Sequence, residues 1–235
     1  MRMNIGSRYF FNTLIPWCVI ILGLVFSNKV DAGDLLRFTT VDDAGLVGAY
    51  PELISKAYAL MGYEVEIIKL PAKRALYQAK SDSSIDGELL RVESAEQWLP
   101  DHIRIPMPIV NIEVAAYVKN VHFEVSGWSS LSPYKLGAVR GFIAIEKQIS
   151  QYDTSFVTET SQVMEMLELD RIQVGVIPRV IGDQIIKQNQ FKRIRSLEKN
   201  IYSTKLFHFL HSKHKNLVPE FVSAIKQVLA RETGN

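Results

Sequence analysis

The two runs Ile112-Glu113-Val114-Ala115-Ala116-Tyr117-Val118-Lys119 and Ile201-Tyr202-Ser203-Thr204-Lys205-Leu206-Phe207-His208-Phe209-Leu210 decide the fold. Both are rich in β-branched, aromatic and aliphatic residues, and both are long enough to leave one sheet and enter another. They bracket a segment in which short strand-like runs alternate with helical periods. The strands are Lys135–Val139, Ser155–Val157 and Ile172–Ile177; the helices are Ile143–Gln151, Ser161–Leu169 and Arg179–Gln190. The same alternation precedes the first run. Strand Leu35–Thr40 leads through a loop at Val41–Gly48 to a helix over Pro51–Met61. Strand Tyr63–Leu70, helix Ala72–Lys80 and strand Ser84–Leu89 follow. Pro51 and Pro71 sit where a helix begins, and Gly62 where one stops. Ser94 is placed to cap a short helix ending before Pro100, and Pro219 opens a final helix whose Phe221, Val222, Ile225, Val228 and Leu229 share one face. Two α/β units joined by two crossing strands predict a two-lobed molecule with a cleft. The first lobe is discontinuous, 33–116 with 202–235, and the second covers 117–201.

The N-terminus sets the compartment. Arg2 and Arg8 precede an apolar run from Leu14 to Phe26, and Val30-Asp31-Ala32 precede Gly33. Basic, apolar and small-residue segments in that order are those of a secretory signal peptide, with cleavage after Ala32 and a periplasmic destination. The run is short for a bilayer span, and the lone Cys18 lies inside it. Removing 1–32 takes away Arg2, Arg8, Lys29 and Asp31, which lowers Lys+Arg from 27 to 24 and Asp+Glu from 25 to 24. A near-neutral chain offers no electrostatic footprint for nucleic acid. Without cysteine it has no disulfide framework, thiol nucleophile or thiolate metal site.

Five segments in order carry a resemblance: Leu35-Leu36-Arg37-Phe38-Thr39-Thr40, Pro71-Ala72-Lys73-Arg74-Ala75-Leu76, Ile85-Asp86-Gly87-Glu88-Leu89, Leu136-Gly137-Ala138-Val139-Arg140-Gly141 and Met166-Leu167-Glu168-Leu169-Asp170-Arg171. The chain resembles bacterial extracellular solute-binding proteins of family 3. That resemblance implies the α/β periplasmic binding protein type II fold, two lobes joined by two hinge strands around a ligand cleft. It also implies amino-acid-like ligands, held by an arginine after the third strand of lobe one and by acidic groups on lobe two. Arg91 lies near the first position, but Gln173 and Pro178 stand where acidic residues are usual. An ammonium group unpaired in a closed cleft is costly, so a small polar, anionic solute is expected rather than a standard α-amino acid.

Among single residues, Arg91 offers a guanidinium fork for a carboxylate. Glu88, three residues earlier, either neutralises Arg91 or accepts a ligand donor. Arg74, in the first helical turn after Pro71, either reaches the cleft mouth or faces solvent. On lobe two, Arg140 and Gly141 follow a strand, where glycine lets backbone N–H groups approach a ligand or simply makes a turn. Thr160 and Ser161 start a helix and form a second possible anion cradle, with Ser161 equally explained as an N-cap. Asp42, Asp43 and Tyr50 border the first strand-to-helix loop, where α/β folds place ligands. His208, His211 and His214 are spaced by three, which spreads the rings over different faces and does not suit zinc. Trp98 is expected to pack under the short helix and Trp128 to be the more exposed of the two.

No phosphate loop, His-Glu-x-x-His pair or Gly-x-Ser-x-Gly elbow occurs, so no cofactor is called for. The expected function is capture of a small anionic solute by hinge closure, by a monomer serving an ABC-type transporter or a receptor. The alternative is a periplasmic enzyme on the same scaffold, since the fold also resembles cyclohexadienyl dehydratase. Glu88 with His102 or Glu159 would then be the acid/base pair. Substituting Arg91→Ala is expected to abolish closure and leave the ligand-free melting curve nearly intact. The N-terminal reading is checked by intact-mass measurement of exported protein: a chain beginning at Gly33 supports it, and one that retains Met1 overturns it.

Overall fold

A computed structural model describes residues 34–42, 49–189 and 191–233; the segment read as a signal peptide and Asp43 lie outside them. Strand β1, Leu35–Val41, carries the burial alternation of an inner strand and leads to helix α1, Ala49–Leu60. Strand β2, Glu64–Leu70, lies parallel to β1, pairing Leu35 with Glu64 through Val41 with Leu70. Helix α2, Ala72–Ser81, starts after Pro71 and buries Ala72, Ala75, Leu76 and Ala79. Strand β3 spans Gly87–Val92, three residues later than the apolar pattern suggested. Before it, the chain is pinned at Asp86, whose carboxylate accepts from the Arg37 amide at 2.8 Å and from His214 Nε2 at 2.7 Å, and lies 2.8 Å from Lys213 Nζ.

A 3-10 turn at Glu93–Gln97 is capped at Val92 rather than Ser94, and leads to β4, His102–Arg104. The crossing strand β5, Val110–Val118, then enters the second α/β unit. Its elements are β6, Leu136–Val139; α3, Ile143–Ile149; β7, Thr154–Val157; α4, Thr160–Glu168; β8, Val174–Pro178; and α5, Arg179–Asn189. A two-residue strand, β9 at Arg195–Ser196, precedes the second crossing strand, β10, Tyr202–His211. Helix α6, Val218–Thr233, packs back on α1. The two short strands β4 and β9 escape a periodicity argument because neither is long enough to show a period.

The strands follow the order β2-β1-β3-β10-β5-β8-β6-β7, with β4 against β10 and β9 against β5. The crossing strands occupy the middle and pair antiparallel, Tyr202 with Val114 through Leu206 with Val110. Each then reaches into its own half. β10 goes on to β3 and β4, and β5 goes on to β8. The apolar interior divides accordingly. One cluster gathers Leu36, Phe38, Ile54, Tyr58, Leu89, Phe221 and Ile225; a second gathers Val118, Leu136, Ile149, Val163, Leu167, Val174 and Ile181; a third, smaller, joins Leu76, Ile85, Leu99, Phe207 and Phe209. The architecture is a two-lobed α/β fold. Among the described residues, no helix is long and apolar enough to cross a membrane.

Inside the first cluster, Phe38 stacks on Tyr58 at 5.2 Å and Tyr58 meets Phe221 at 4.7 Å. His208 is inserted among them with no exposed surface. The Leu89 carbonyl, 3.1 Å from Nδ1, can only accept, so Nδ1 carries the proton and Nε2 accepts from the Tyr58 hydroxyl at 2.9 Å. Burial drives the imidazole pKa down to about 4. His211 instead meets the His102 ring edge-on, and His214 holds Asp86, so the three histidines serve three separate contacts.

With His208 neutral in the fold and basic when unfolded, the unfolded chain binds the extra proton between about pH 6.5 and 4. Stability is therefore expected to fall on acidification through that window, by roughly 3 kcal/mol from this residue. Urea unfolding of wild type and His208→Gln from pH 7 to 4 checks this. The variant's curve should be flatter, and parallel curves would refute the assignment.

Candidate functional site

Glu88 and Arg91 lie three apart on β3, a spacing that in a regular strand sends side chains to opposite faces. Here they meet. Opposite them on β10, Phe209 pairs with Glu88 and Phe207 with Arg91, so three steps on β3 face two on β10. This one-residue bulge turns Arg91 onto the face of Glu88. Arg91 Nε donates to Glu88 Oε1 at 3.0 Å, with the two side chains 5% and 0% exposed. Thr39, one strand over on β1, places its hydroxyl 2.7 Å from Glu88 Oε2. Burial pushes the Glu88 carboxyl up, against the opposing pull of Arg91 and Thr39.

The remaining guanidinium nitrogens reach two other parts of the chain. Nη2 donates to the Ala72 carbonyl at 2.7 Å, at the start of α2, and Nη1 to the Gly141 carbonyl at 3.4 Å, in the turn between β6 and α3. Gly141 takes φ +90°, and a Cβ there would lie 2.4 Å from the Lys73 nitrogen. Only glycine permits both the left-handed backbone and this approach of the two lobes. Its N–H is directed to Glu146 Oε2 at 2.8 Å, which corrects the expectation that it stands free for a ligand.

Two hollows flank this junction. An inner one of about 60 Å³ is bounded by Val41, Arg91, Val114, Phe142, Pro178 and Leu206 among others. It has room for a few waters and is well below the roughly 300–1,000 Å³ of small-molecule sites. The outer groove is about 690 Å³. Lys73, Leu76, Tyr77 and Lys80 of α2, Ser94, Gln97 and Trp98 of the 3-10 turn, and Ile143, Glu146 and Lys147 of α3 line it, with Gly141 at its inner end.

The other sequence candidates are dispersed. Arg74 and Asp42 are exposed and border neither hollow, and Tyr50 packs against the first apolar cluster. Arg140 lies over the Phe156 ring at 5.2 Å and faces Glu146 at 3.7 Å. Thr160 is buried. Ser161 is not the cap of α4: Glu159 takes that position, its N–H donating to Gln162 Oε1 at 3.1 Å. The Glu159 carboxylate beside Ser161 opposes an anion at this helix start. Gln173 accepts from the Lys135 amide, away from both hollows, whereas Pro178 lines the inner one.

The two tryptophans exchange their expected roles. Trp98 is 53% exposed in the outer groove, and Trp128 packs at 5.7 Å from Tyr202. Lys73, Tyr77 and Lys80 were the groove residues most open to detection, since spacings of four and three put them on one helix face. What they face depends on α3, which no local pattern reveals.

The comparisons agree on the fold. No protein-family model matches the chain. An uncharacterized protein of Shewanella oneidensis is 26% identical over 189 residues, 76% of this chain and 70% of that one. A histidine kinase sensor domain with similarity to periplasmic binding proteins aligns at TM-score 0.71 and 16% identity, over 87% of this chain and 93% of that one. The arginine-bound form of ArgBP from T. maritima aligns at 0.69 and 12%, over 83% and 96%. The substrate-binding protein of an amino acid ABC transporter aligns at 0.67 and 14%, over 85% and 94%. The chain therefore has the two-lobed periplasmic-binding-protein fold.

Because Glu88 is wholly buried, removing its cation leaves a carboxylate with the Thr39 hydroxyl but no counter-charge. The expectation of an intact melting curve for Arg91→Ala is thereby overturned: the loss should be about 3–5 kcal/mol in denaturant unfolding. A paired Glu88→Gln/Arg91→Met variant should recover much of it. Equal losses in both would contradict the assignment.

Proposed function

We propose that this is a periplasmic solute-binding protein that captures a small anionic ligand between its lobes by hinge closure. The lobes are 33–116 with 202–235, and 117–201. The observation that carries the reading is the Arg91 guanidinium at the lobe junction, hydrogen-bonded to a carbonyl from each side. Closure is favoured by whatever adds contacts available only when the lobes meet. The outer groove, walled by α2 and the 3-10 turn on one side and α3 on the other, is such a place. Neighbours described as an arginine-bound protein and as part of an amino acid ABC transporter support binding over catalysis. The sensor-domain neighbour supports a receptor as readily as a transporter for the membrane partner. The protein acts as a monomer without a cofactor.

A dehydratase-like reaction would need an acid and a base together. Glu88 has both oxygens engaged by Arg91 and Thr39, and the His102 ring lies against His211 at the β4–β10 edge. These contacts favour the binding reading.

A thermal-shift screen of carboxylates, amino acids, polyamines and sugars, with small-angle scattering of each hit, tests the proposal. A ligand at a hundred times its Kd should raise Tm by roughly 5–10 °C and reduce the radius of gyration. A panel with neither effect would sink the proposal, and turnover of a prephenate-like compound would replace it with the enzyme.

A further inference from the structure

The outer groove combines features that together point to one chemistry. Along α2, Lys73, Tyr77 and Lys80 form an outward stripe, opposite the side that buries Ala75 and Ala79. Tyr77 is 69% exposed and Trp98 is 53% exposed, two large aromatic surfaces left open on the first-lobe side of one hollow. Leu76 and Ile143 extend this apolar lining. Three lysines rim it: Lys73 and Lys80 from the first lobe and Lys147 from the second. Among the described residues none of the three makes an ion pair. The one carboxylate on the lining, Glu146, is directed to the Gly141 amide and Arg140. Apolar slabs with a surplus of cations at their edge complement a flat body that ends in an anion.

We propose that the outer groove is the ligand site and that its ligand is a small aromatic carboxylate. The ring lies against Trp98 and Tyr77, and the carboxylate meets Lys73 and Lys147 across the lobe junction. This deepens the reading of capture between the lobes and rests on it. Lys73 adjoins Gly141 through its backbone, so an anion shared with Lys147 draws together the segments that close on each other. The Glu88–Arg91 pair stays occupied and keeps the junction in shape without touching the ligand.

The probes are phenylacetate and indole-3-acetate, with benzyl alcohol and benzylamine as neutral and cationic controls. In a Trp128→Phe background Trp98 is the sole tryptophan after Gly33, so its emission reports on the groove. Saturable quenching by the two carboxylates, at least about tenfold weaker with the controls, is expected. Lys73→Gln/Lys147→Gln should lose at least about tenfold in affinity and keep its ligand-free Tm, since both side chains are exposed. Thermal shift on the protein with both tryptophans provides a readout independent of the Trp128 change. No binding of either carboxylate, equal binding of benzyl alcohol, or full affinity in the double-lysine variant each overturns the inference. If an amino acid or sugar compacts the protein and the aromatic acids do not, this inference fails while capture between the lobes stands. If no compound does either, both fail.

Discussion

A buried carboxylate and a buried guanidinium, 3.0 Å apart in the third strand, hold the junction of this molecule together. Taking either group out of water alone costs several kcal/mol, so each requires the other and further polar partners. Glu88 finds Thr39 on the neighbouring strand; Arg91 finds the carbonyls of Ala72 and Gly141. These contacts tie β1, β3, the start of α2 and the β6–α3 turn to one point. The arrangement is possible because a bulge opposite Phe207–Phe209 changes which face Arg91 occupies.

That tie also allocates roles. An arginine engaged by a buried glutamate and two carbonyls has little capacity to grip a ligand carboxylate, although it lies where an anion-binding arginine is looked for. Its work is positional: it holds α2 and α3 at the distance that creates the groove between them. The lysines exposed on those helices, Lys73 and Lys147, keep their hydration and escape the desolvation cost that the buried pair carries. Gly141 against Lys73 brings backbone from the two lobes into direct contact at this junction.

The two larger apolar clusters are each stapled by a polar contact, wholly buried in the first and partly buried in the second. In the first, neutral His208 joins Tyr58 to the Leu89 carbonyl. In the second, the Tyr117 hydroxyl donates to Asp183 at 2.6 Å, with the Arg179 carbonyl at 2.9 Å, where α5 begins. Both tie a helix to a crossing strand. The crossing strands thus carry a polar tie to a helix on either side of the junction.

Much was legible in the chain itself. Alternation and helical period located nearly all of the strands and helices, and two long apolar runs separated by a complete α/β unit implied two lobes and their connection, because crossing strands must be long and buried. The near balance of charge, 27 basic against 25 acidic residues, followed from composition alone. Tertiary structure decided the site. The bulge that joins Glu88 to Arg91 depends on β10, the carbonyls that Arg91 reaches belong to α2 and to the β6–α3 turn, and the groove beside Trp98 exists only because α3 lies across from α2. A local pattern records which residues a helix or strand buries; it does not record what stands opposite them, and binding chemistry is made of what stands opposite.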